Sequence, residues 1–315
     1  MQRAYPYPIT LLIIFLVATA VAYVFLLARK RIIVARGEKL LEQERYDEAI
    51  SLFKKAIASN PKDARARHGL AAAYAHQGNF ELAIEELTRA IELKPRWALL
   101  YHDLGLVYRS IGKVDLAIVN FEKAIELEPK WEDTYVELAY LYTEQERFDE
   151  ALGILERGMR EVPRGLPIRK IRNEMAIVYG TQGRYDLALE ILKELIQLNP
   201  REPIAHLNLG LTFYLMGENK KAEEALKRVI DLDPNSEVAH HNLGMVFLRI
   251  GDLPAAEKEF RTAIRLEEEF VDAHLYLGEC YFKQGRMKEA KVEFEKALAL
   301  DPELKLAKER LEELQ

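Results

Sequence analysis

The chain has 315 residues, with 45 Lys and Arg against 51 Asp and Glu, a net charge of −6 and 49% hydrophobic residues. That is long and apolar enough for a substantial core. The acidic balance argues against nucleic acid as a partner, and the single cysteine, Cys280, excludes an intrachain disulfide.

The chain begins with a short tail, residues 1–8, carrying Pro6 and Pro8. Ile9 to Ala28 is then a run of 20 residues whose polar members are Thr10, Thr19 and Tyr23. A helix of that length crosses a hydrocarbon core of roughly 30 Å at about 1.5 Å per residue. The spacing therefore predicts a transmembrane anchor over residues 9–28. A cleaved secretory signal is the rival. Ala18-Thr19-Ala20 has small residues of the right kind, but the apolar part of a signal is normally only about 7–15 residues. Arg3 precedes the run, whereas Arg29, Lys30, Arg31 and Arg36 come after it. The bias of positive charge puts the carboxyl-terminal side of the run in the cytoplasm, the extracytoplasmic side being the alternative. Without the five basic residues of the first 36, which include no acidic ones, residues 37–315 hold 40 basic against 51 acidic side chains, a net of −11.

Beyond the run the chain repeats. Proline stands at 61, 95, 129 and 163, then at 200, 234 and 302, in steps of 34 apart from one of 37. Glu268 fills the empty slot. A fixed period of this size marks a repeat array, an extended surface and not a pocket. Alanine recurs at 49, 83, 117, 151, 188, 222, 256 and 290, and four places on sits Phe or Leu. A small residue recurs from Gly37 to Gly278, with a large, mostly aromatic one three places later. Spacings of three and four put these residues on one helix face, the small ones allowing close approach and the large ones filling the space beside them. Turns such as Gln77-Gly78-Asn79 and Gln284-Gly285-Arg286 separate two helices in each unit, and the proline ends the second. The expected units are 30–63, 64–97, 98–131, 132–165, 169–202, 203–236, 237–270 and 271–304. The three residues Leu166-Pro167-Ile168 are extra, and read as a longer loop or a hinge between the first four units and the last four. Lys305 to Gln315 reads as a capping helix, with Leu306, Leu311 and Leu314 on its inner side.

These columns, and segments such as Ala205-His206-Leu207-Asn208-Leu209-Gly210, resemble the tetratricopeptide repeat family over residues 30–304. The resemblance implies an all-α, right-handed α-solenoid of about eight helix-turn-helix repeats, here preceded by one transmembrane helix. It also implies a concave groove lined by the first helix of each pair, which binds a protein or peptide partner.

Catalytic motifs are missing. There is no glycine-rich phosphate loop, nucleophile elbow or HExxH, so neither an enzyme, a small-molecule substrate nor a cofactor is expected. Cys280 reads as a packing thiol. His206, His240 and His274 stand 34 residues apart, too far along a stack to converge on one metal ion. The column where chaperone-docking members of the family carry a lysine reads Val34, His68, His102, Val136, Asn173, Leu207, His241 and Leu275, so that clamp is not expected.

By the same resemblance, the groove columns run from basic (Arg31, Arg65, His68, His102, Arg109) through acidic (Asp133, Glu137, Glu174) to apolar. The apolar set is Ile204, Leu211, Tyr214, Val238, Met245 and Leu248, with Asn208 and Asn242 in one column beside them. An apolar patch marks an interaction site unless the array buries it. Asparagine there holds a peptide backbone or faces water. These eight residues are the expected partner site. The expected function is a membrane-tethered scaffold or adaptor, with a role in cell-envelope or membrane-complex assembly by architectural likeness. The alternative is a receptor or holdase that captures client chains for import or secretion.

Overall fold

The computed structural model describes residues 32–163 and 165–314, and the expected anchor and tail lie outside them. Among the described residues all regular structure is helical, and no helix is long and apolar enough to cross a membrane. In chain order the helices are α1 (32–42), α2 (Tyr46–Ser59), α3 (Ala64–His76), α4 (Phe80–Leu93), α5 (Ala98–Ser110), α6 (Val114–Leu127), α7 (Glu132–Glu144) and α8 (Phe148–Glu161). Next come α9 (Leu166–Thr181), α10 (Tyr185–Leu198), α11 (Pro203–Leu215), α12 (Asn219–Leu232), α13 (Glu237–Ile250), α14 (Leu253–Leu266), α15 (Val271–Lys283), α16 (Met287–Leu300) and α17 (Lys305–Glu313). Successive helices pack as hairpins, α3 with α4, α5 with α6, α9 with α10, α11 with α12, α13 with α14 and α15 with α16.

One turn geometry joins the two helices of every hairpin. In α3/α4 the Asn79 N–H donates to the Tyr74 carbonyl at 2.9 Å and the Gly78 N–H to Ala75 at 3.0 Å, with Gly78 at φ 73°. This pair of bonds around a left-handed residue satisfies carbonyls that a helix end leaves open. Gly112, Gly183, Gly217, Gly251 and Gly285 do the same. Glu44 and Glu146 hold the same position at φ 57° and 58°, a conformation that L-residues with a Cβ resist. The residue whose carbonyl closes the turn belongs to the aromatic column. Several of these rings carry the cation of the turn: Arg147 over Tyr142 at 4.5 Å, Arg184 over Tyr179 at 4.8 Å and Arg286 over Tyr281 at 4.1 Å.

The described chain falls into two compact units, one ending at Leu141 and the other beginning at Tyr142, a division inside α7. It therefore precedes the three extra residues. Those residues do not form a longer loop, because Leu166-Pro167-Ile168 is the first turn of α9. That helix has 16 residues, where the first helices of the flanking repeats, α7 and α11, have 13. Proline suits this place, since its missing N–H would be unpaired there anyway.

In both units the recurring alanines have no exposed surface, and the Phe or Leu four residues on is at most 2% exposed. Four repeats pair glycine with phenylalanine across the hairpin: Gly37 with Phe53, Gly105 with Phe121, Gly244 with Phe260 and Gly278 with Phe294. A Cβ at any of these glycines would meet the ring at 2.6–2.7 Å. Repeats with alanine at that place (Ala71, Ala139, Ala176) carry the smaller Leu87, Leu155 and Leu192 in the facing column. Only Gly210, opposite Leu226, departs from the rule. In the second unit, α17 packs Leu306, Leu311 and Leu314 on the core around Phe294 and Ala297, and its Arg310 pairs with Glu279 of α15.

Candidate partner-binding groove

In the first unit the groove-column charges are already engaged. Arg65 of α3 makes a two-pronged ion pair with Glu38 of α1 at 2.6 and 2.7 Å. His68 of α3 donates to Asp103 of α5 at 2.5 Å, and Arg109 of α5 pairs with Glu137 of α7. Each link joins the first helices of successive repeats. Burial raises the Glu137 pKa, against the pull of the Arg109 guanidinium. His102 is buried, its ring centroid 4.2 Å from that of Trp131, and burial lowers its pKa. A cavity of about 310 Å³ opens between α3 and α5, lined in part by Ala72, Ala75 and Leu106.

The second unit presents apolar groups in the same columns. Ile204 is 54% exposed, while Leu211, Tyr214, Val238, Met245 and Leu248 are half-buried. Tyr214 rests against the cluster of Leu243 and Val246, and Met245 and Leu248 against that of Leu277 and Tyr281. Arg249 of α13 lies over the Tyr214 ring, 3.3 Å from its centroid, and donates to the Tyr214 carbonyl, which fixes that ring between two repeats. The two asparagines differ. Asn242 is half-buried, but Asn208 is only 7% exposed and its amide donates to Asn173 of α9 at 3.3 Å. Asn173 in turn donates to the Arg169 carbonyl at 3.1 Å. Asn208 thus links successive repeats, whereas Asn242 remains partly open.

His241 sits beneath this surface. It is 9% exposed, and the ring centroids of Phe270, Phe260 and Tyr276 lie 5.1, 5.6 and 5.7 Å away. Its Nδ1 has no hydrogen-bond partner, and burial lowers its pKa. The columns of Val238 and Asn242 continue beyond the expected site, at Asp272 and Tyr276 of α15. The period of 34 was the signal that could have found them.

The histidines 34 residues apart face separate turns. Nε2 of His206, His240 and His274 donates to the carbonyls of Pro200, Pro234 and Glu268 at 3.0, 3.3 and 3.0 Å. Tyr101 and Tyr135 make the same bond to Pro95 and Pro129. Nδ1 of His240 and of His274 lies 2.6 Å from Glu259 and Glu293. Among the described residues no group of three or more His, Cys, Asp or Glu could hold a metal ion. Cys280 has no exposed surface and donates to the Leu253 carbonyl at 3.2 Å, and burial pushes its thiol up to about 11, which keeps it unreactive near neutral pH. A cleft of about 660 Å³ lies at α14, α15 and α16, where the buried His274 and Glu293 are satisfied by each other and by neighbouring groups.

The tandem hairpins define a helical-repeat protein whose ordinary business is to present a surface. A family model for the tetratricopeptide repeat matches residues 40–104, 111–167 and 181–243, more than half of the chain, and a second model of the same description matches 241–304. The chain belongs to the tetratricopeptide repeat family. No curated protein sequence matches it. Among solved structures, yeast Tom70 is similar with a TM-score of 0.71 at 17% identity, over 86% of this chain and 58% of that one. A tetratricopeptide repeat protein from Parabacteroides merdae gives 0.63 at 18% identity, over 80% and 98%. A chain of the APC/C hetero-tetramer Cut9-Hcn1 gives 0.59 at 15%, over 90% of this chain. The present chain spans 55% of that last structure's length. At these identities the likeness concerns the fold.

Proposed function

We propose that the protein is a membrane-tethered scaffold whose groove, at repeats six and seven, holds an extended or helical segment of a partner protein. The observation that carries this reading is the run of apolar side chains in groove columns of the second unit, where the first unit has charges paired among themselves. Ile204 stands more than half exposed among them, and Asn242 supplies a donor and an acceptor for a backbone. A chain of similar fold, in the Cut9-Hcn1 hetero-tetramer, is found assembled with another protein. Residues 9–28 supply the tether, with the repeats on the cytoplasmic side, and tethering raises the effective concentration of a weakly bound partner at the membrane. Assembly of an envelope or membrane complex is the setting this architecture suits.

The test is cross-linking in native membranes, comparing the wild type with Ile204→Glu plus Met245→Gln. One dominant partner, lost in the variant, supports the scaffold. A spread of unrelated nascent chains would instead make the protein a client receptor, and capture that survives the variant would remove the groove from the account. For the topology, protease added to sealed right-side-out vesicles should leave the repeats intact.

A further inference from the structure

The groove columns change chemistry at their last step. Ile204, Val238 and Asp272 succeed one another along one column, and Asn208, Asn242 and Tyr276 along the next. Of the two acids that α15 brings to these columns, Glu279 is neutralised by Arg310. Asp272 is exposed, and among the described residues it has neither an ion pair nor a side-chain hydrogen bond. The Tyr276 hydroxyl beside it is likewise unbonded, while its ring is held against His241 and Phe260. Burial and then the Asp272 carboxylate raise the Tyr276 pKa. The apolar floor thus ends on an open carboxylate and a fixed, open phenol, in a repeat region whose net charge is −11 over residues 37–315.

Resting on the groove reading above, we propose that the partner segment is cationic at one end: a Lys or Arg just beyond its apolar anchors is received by the Asp272 carboxylate and the Tyr276 hydroxyl. The apolar side chains lie on Leu211, Met245 and Leu248, and the cation at repeat eight sets the direction in which the segment lies. A carboxylate facing a cation at the rim of an apolar contact contributes selectivity and association rate more than raw affinity. Asp272 also stands in the first turn of α15, where a negative charge favours the helix. That role predicts no effect on which peptide binds.

The experiment selects from a random library of 12-residue peptides on the full chain in detergent micelles. The wild type should enrich peptides with a pair of large apolar residues and then Lys or Arg. Asp272→Asn should weaken the best of them about threefold. Asp272→Lys should keep the apolar requirement while abolishing the preference for Lys and Arg or turning it to Asp and Glu. Apolar enrichment with no positive residue, or a preference unchanged in Asp272→Lys, overturns the proposal and leaves the groove reading standing. No enrichment at all, or enrichment that persists in Ile204→Glu plus Met245→Gln, overturns both. A circular dichroism spectrum like that of the wild type shows that each variant is folded.

Discussion

A methyl group added at Gly244 would meet the Phe260 ring at 2.7 Å, closer than real Cβ atoms come. Gly244→Ala should therefore destabilise the second unit by about 1–3 kcal/mol, the ordinary penalty of overpacking. Phe260→Leu removes the clashing ring, as in the repeats that carry Ala and Leu. The double variant should be more stable than the sum of the single losses by about 0.5–3 kcal/mol, measured by denaturant unfolding; strict additivity would break the proposed coupling. His241 carries a second residue-scale consequence. Burial lowers its folded pKa below the ordinary value of about 6.5, so the unfolded chain takes up the proton first as pH falls. The linked stability is complete above about pH 6.5 and is lost as pH drops from there through the folded value. His241→Phe keeps an aromatic ring among Phe260, Phe270 and Tyr276 and removes the titration. Its stability should fall less than that of the wild type between pH 7 and 5; parallel pH curves would contradict this. The alternation of small and large residues was visible in the sequence. The burial of Asn208 was not, because a column names a helix face and says nothing of the Asn173 amide on the next repeat.

At the scale of the element, the hairpin turn is the recurring device, and it tolerates two residues that resist its geometry. Glu146→Gly should stabilise repeat four by about 1 kcal/mol by relieving the left-handed strain at φ 58°. Slower amide exchange at the start of α8 would register the gain, and an unchanged or faster rate would show that the strain is already compensated. The insertion at residues 166–168 shows what periodicity conveys about elements. The step of 37 located the extra residues, but Pro167 is as compatible with the first turn of a helix as with a loop. Only the backbone places them as an added turn on α9. The change from charged to apolar residues along these columns was legible too. That Arg65, His68 and Arg109 are spent on Glu38, Asp103 and Glu137 depends on how close successive first helices lie, which a linear sequence does not state.

For the whole molecule, the period of 34 links composition to function, since a stack of hairpins offers a surface in place of a catalytic cavity. The proposed function places that surface at repeats six and seven, where the apolar side chains of the second unit stand in the columns that hold paired charges in the first. The most direct test is site-specific photo-cross-linking in native membranes. A benzoylphenylalanine in place of Ile204, on the groove, is compared with one in place of Val292, which is 47% exposed on α16, the second helix of repeat eight. One dominant adduct from position 204 and none from 292 is the predicted result. Equal adducts from both positions, or none from 204, would contradict a partner held in the groove.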